Sequence, residues 1–68
     1  MRRKIGGYIF QFTRSDHHGR HIHVFRDNEE IGVYDRVDGP IRGIEQHLGK
    51  GLREALEEFI ALLDERGL

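Results

Sequence analysis

Through residues 8–36 apolar side chains recur at every second position; after Asp38-Gly39-Pro40 they recur at every third or fourth. That change of period constrains the architecture. Side chains alternate across a strand but return to one face of a helix about every 3.6 residues. Residues 8–13 read as a strand opened by Gly6-Gly7, with Tyr8, Phe10 and Phe12 on one face and Ile9, Gln11 and Thr13 on the other. Residues 15–19 have turn composition. A second strand covers residues 20–26, with Ile22 and Val24 on one face and His21, His23 and Phe25 on the other. Asp27-Asn28 tolerates left-handed backbone angles and makes a hairpin turn. A third strand, residues 30–36, follows, with Ile31, Val33 and Asp35 alternating against Gly32, Tyr34 and Arg36.

Beyond the break, Ile41, Ile44 and Leu48 are spaced for a short helix, which Gly49-Lys50-Gly51 interrupts. The longest regular element comes next: Leu52, Leu56, Phe59, Ile60 and Leu63 share one helical face, with Gly67 as the C-cap and Leu68 folding back on the last turn. The expected fold is therefore a single α+β domain over residues 1–68, a three-stranded antiparallel sheet covered on one face by a C-terminal helix. A chain of 68 residues without cysteine buries only about 60% of its unfolded surface and has no disulfide to help. A partner subunit, most simply a second copy in a homodimer, would supply further stabilisation.

The chemistry is concentrated. Four of the five histidines lie in Asp16-His17-His18-Gly19-Arg20-His21-Ile22-His23, which runs into Val24-Phe25. Histidine changes charge near neutral pH and is the commonest metal ligand. If Ile22 and Val24 face the helix, His21 and His23 point from the open face, roughly 7 Å apart. Asp16, His17 and His18 would fold over that face from the preceding loop.

Three readings of the cluster stay open. Metal-independent RNA cleavage needs a base for the 2′-hydroxyl, an acid for the leaving oxygen and a cation for the phosphorane. His21 and His23 supply the acid and base, and Arg20 or Arg26 the cation. Tyr8 or Phe25 would stack on a base. Asp35 either orients a histidine or caps the following turn. The second reading is a divalent metal such as zinc on His21 and His23, with His17 or Asp16 completing a three-ligand set; without sulfur ligands this fits an open site better than a structural one. The third is non-enzymatic: an open strand face needs polar residues, and histidines serve well in a protein interface. His47 reads as a boundary residue.

Charge is unevenly spread. Residues 1–26 carry six basic side chains against Asp16 alone, while residues 27–68 carry eleven acids against five bases. Such polarity draws an anion to one part of the molecule. The acidic helix, with Glu54, Glu57 and Glu58, argues against a DNA recognition helix. Gly39-Pro40-Ile41-Arg42-Gly43 and Gly49-Lys50-Gly51 combine glycine with a cation, but neither has phosphate-loop spacing, and turn chemistry accounts for both. No apolar run approaches the roughly 20 residues of a membrane span, and no signal-peptide core follows Met1-Arg2-Arg3-Lys4. The expected setting is cytoplasmic.

Asp16-His17-x-x-x-His21-x-His23-Val24-Phe25, a short turn, a strand ending Val33-Tyr34-Asp35 and a leucine-rich helix together resemble a family of small bacterial proteins of unknown function, from Tyr8 to Leu63. Its members carry Asp-His-x-Pro-Pro-His-x-His-Val and often accompany a second small gene, as in toxin–antitoxin pairs. Here His18-Gly19-Arg20 replaces the x-Pro-Pro step and adds a cation. Gly19-Arg20-His21 leading to Phe25 is also loosely similar to the HicA-type messenger-RNA interferase toxins, whose first helix this chain lacks. The resemblance implies an RNA-directed toxin-like component with an antitoxin-like protein partner.

Overall fold

The computed structural model describes residues 1–14 and 20–68. Among these, five strands form one antiparallel sheet, in which β1 (Arg2–Ile5), β2 (Tyr8–Phe12), β3 (His21–Arg26), β4 (Glu29–Asp35) and β5 (Gly39–Ile41) neighbour each other in chain order. A 3₁₀ turn (Ile44–Gln46) and the helix α1 (Lys50–Glu65) are the other elements among the described residues. The α+β class and the one-sided helical cover are as expected, but the sheet has five strands rather than three.

Each added strand has a physical reason for escaping the periodicity. Arg2-Arg3-Lys4 is exposed along an edge, so β1 has no apolar alternation to display. Gly6 and Gly7, at φ 58° and 85°, are the turn of a tight hairpin rather than the start of β2. Two successive left-handed residues match the twist of the strands they join, and glycine adopts them without steric cost. β5 contains Pro40, which cannot donate to a ladder and is tolerated because this strand is the other edge. Ile41 therefore belongs to a strand, and the expected short helix shrinks to the 3₁₀ turn at Ile44.

Asp27 and Asn28, at φ 52° and 68°, make the anticipated turn between β3 and β4. A register shift follows: Val24 pairs with Gly32 but Phe25 with Glu30, leaving Ile31 as the extra residue of a bulge. Ile31 thereby packs against the main cluster instead of sharing the face of Val33 and Asp35.

Phe10, Phe12, Ile22 and Val24 meet Leu52, Ala55, Leu56, Phe59 and Leu63 of α1 in one buried cluster. Phe10 and Phe59 stack with ring centroids 5.2 Å apart. Ile44 is wholly buried over Gly32, where an added Cβ would come within 2.5 Å of the Ile44 Cβ and backbone nitrogen. At the helix end Gly67 N donates to Asp64 O and Leu68 N to Leu63 O, a Schellman closure that also brings Leu68 onto the core. Arg36 ties this end to the sheet. Its Nη2 contacts Asp64 Oδ1 at 2.9 Å, its Nη1 donates to Leu68 O, and its guanidinium lies over the Phe12 ring.

Candidate functional site: the open face of the sheet

Two-residue alternation and the pairing of Gln11 with His23 and of His23 with Val33 put Gln11, His21, His23, Phe25, Val33 and Asp35 on the face opposite α1. His21 and His23 thus share the open face, as the strand pattern implied. Their settings differ. The His21 side chain is 12% exposed, with Nε2 3.2 Å from Asp35 Oδ2. The His23 side chain is 25% exposed, and its Nδ1 lies 2.6 Å from Glu30 Oε1. A carboxylate on one ring nitrogen fixes the orientation of an imidazole.

Asp35 both orients a histidine and caps a turn. Its Oδ1 accepts from the backbone N–H groups of Val37 and Asp38 and from Arg20, while Oδ2 faces His21. The Asp38 N–H above all, with the Val37 N–H and the Arg20 guanidinium, holds the Asp35 carboxyl down to about 2, against the opposing push of burial. Arg20 is committed twice, to Asp35 at 3.2 Å and to Asp38 at 2.8 Å. Two carboxylates already balance its charge.

The other expected contacts divide. Phe25 lies on the open face beside His23, with the Arg2 guanidinium 5.3 Å from its ring centroid. Tyr8 and Arg26 do not join it. Ile9 pairs with Phe25, so the even-numbered residues of both strands turn toward the helix. Tyr8 packs against the core there, and the Arg26 guanidinium sits 5.6 Å over its ring. Asp16 and His17, together with His18, lie outside the described residues. Among the described residues no group of three His, Cys, Asp or Glu side chains is arranged to hold a metal ion. His47 is exposed at the end of the 3₁₀ turn.

Arg2, Gln11 and Glu30 are site residues that sequence reasoning missed. Arg2 pairs across the sheet with Gln11, to whose Oε1 its Nη1 donates at 2.6 Å. Reading Gly6-Gly7 as a hairpin turn would have delivered Arg2 and Lys4 to this face. Glu30 reaches His23 through the bulge, a feature with no periodic signature.

Among the described residues no helix is long and apolar enough to cross a membrane. No protein-family model, no curated protein and no solved structure matches the chain.

Proposed function

We propose that the chain acts on RNA through the open face of its sheet, as the RNA-directed member of a toxin–antitoxin-like pair. The observation that carries this reading is the grouping of Arg2, Phe25 and the His23–Glu30 pair on the sheet face opposite α1. An exposed arginine over an aromatic ring is worth about 0.5–1 kcal/mol, whereas a nucleobase stacked on such a ring is worth about 1–3 kcal/mol. A base would therefore displace Arg2 from Phe25 and release its guanidinium for the adjacent phosphate. The pairing with an antitoxin-like protein rests on the resemblance of the histidine motif, and such a protein would silence the face by covering it.

Cleavage without metal would run as a transesterification. One imidazole takes the 2′-hydroxyl proton, O2′ attacks phosphorus to form a 2′,3′-cyclic phosphate, and the departing O5′ takes a proton from the second imidazole. His23, the more accessible ring, has one role and His21 the other. One observation favours a second, non-cleaving reading: His21 is nearly buried against Asp35, and Arg20 is already balanced by two carboxylates. On that reading the same face binds RNA, or a protein, without chemistry.

Two measurements separate these. Fluorescence anisotropy with a labelled single-stranded RNA should show binding that Phe25→Ala weakens by roughly 5- to 100-fold, the loss of one stacked base. Incubation with the same RNA in the presence of a chelator should give a cyclic-phosphate product that His23→Ala abolishes. Binding without cleavage selects the second reading; absence of RNA binding by the wild-type chain overturns both RNA readings and leaves the protein interface.

A further inference from the structure

β5 stops at Ile41 while β4 extends back to Glu29, so among the described residues no strand lies beside the outer edge of β4 near Glu30 and Gly32. The chain leaves β5 through Arg42 and Gly43, both left-handed, at φ 50° and 84°. Glycine takes that conformation freely, whereas an arginine there is strained. Beside it opens a cleft of about 90 Å³ lined by Glu30, Ile31, Gly32, Val33 and Arg42. That space holds several water molecules, and hence the oxygens of a phosphate group.

The cleft is contiguous with the histidine site. Glu30 is the carboxylate on His23, and Val33 is the residue paired with His23 across the sheet. Other arginines of the fold are already committed, and Arg42 is the cation that lines the cleft. Arg20 is balanced by Asp35 and Asp38, Arg36 holds Asp64 and the end of α1, and Arg2 is engaged by Gln11 and Phe25. Among the described residues Arg42 makes no ion pair, with Glu30 or with any other carboxylate. Glu30 is engaged by His23, and Arg42 supplies the cleft with its cation.

We propose that Arg42 is the phosphate-binding residue of this site, with the notch between it and β4 taking an RNA phosphodiester beside the His23–Glu30 pair. The identity of the ligand as RNA rests on the functional reading above; the phosphate chemistry does not. The cation that lines the notch is carried at a left-handed backbone position where glycine would relieve strain.

Arg42→Gly removes the charge at a backbone position that glycine prefers, so the variant should melt no lower than the wild-type protein. With labelled single-stranded RNA, Arg42→Gly should bind roughly fivefold more weakly at about 0.1 M monovalent salt, and its plot of log affinity against log salt should be shallower by about 0.7, one phosphate contact on a single strand. Arg42→Lys should keep the wild-type slope. Unchanged affinity and slope in Arg42→Gly overturn the assignment while leaving RNA binding intact. Should the wild-type chain ignore RNA, inorganic phosphate titrated into the isotope-labelled protein decides. Amide shifts at Gly32, Val33 and Gly43 that vanish in Arg42→Gly establish the notch as a site for another phosphate ester. Absence of those shifts overturns it.

Discussion

His21 and His23 are two positions apart on one strand face yet are built for different work. His23 leans on Glu30, an exposed carboxylate, and half of the chemistry proposed for the face falls to it. His21 is held by Asp35, which is 4% exposed and bonded on both oxygens. Asp35 is therefore the residue whose loss should be felt in the fold. Its folded-state carboxyl titrates at about 2 against an ordinary value of 3.8. A lowered carboxylate pKa stabilises the folded state above the unfolded value, and that contribution disappears as pH falls through the folded one. Urea midpoints of the wild-type protein should thus decline between about pH 4 and pH 2. Asp35→Asn should start lower at neutral pH and decline less steeply through that window. An identical pH slope in the two proteins would count against Asp35 as the group responsible.

At the scale of elements, glycines in different surroundings should respond in opposite senses. Gly32→Ala drives a methyl group into the wholly buried Ile44 and should destabilise by about 1–3 kcal/mol. Gly51, in the exposed first turn of α1 with nothing within 4 Å of an added Cβ, should gain about 0.5–1 kcal/mol as alanine. Thermal melts of the two variants check both signs.

The same elements show what could be read from the sequence. The strands around Phe10, Val24 and Val33, the helix from Leu52 to Leu63 and the Gly67 closure all bury a periodic stripe, and period is visible in a sequence. Placement of His21, His23 and Phe25 together on the open face followed from it. β1 and β5 bury no such stripe, because each is an edge strand held by backbone pairing. The bulge at Ile31 obeys no period either, so Glu30 and the notch at Arg42 went unseen. Tyr8 and Arg26 were misplaced for a different reason: both had parities that pointed to the helix side, but their chemistry suggested a ligand.

For the whole molecule the balance is thin. A chain of this length has a total stability of roughly 3–10 kcal/mol, and Phe59→Ala would remove about 3–5 kcal/mol of it by emptying the stack on Phe10. That variant should be largely unfolded by circular dichroism at temperatures where Val37→Ser, altering an exposed side chain, melts like the parent. The meander order of the strands has a consequence during synthesis. Each strand can pair with its predecessor as it leaves the ribosome, but the side chains that cover Phe10, Phe12, Ile22 and Val24 come from α1, translated last among the described elements. At about 5–20 residues per second, several seconds separate the emergence of β3 from that of Leu63. During that interval a nascent sheet presents its greasy side to its surroundings, and any chaperone or cognate protein meeting the newborn chain encounters that side before the helix closes it.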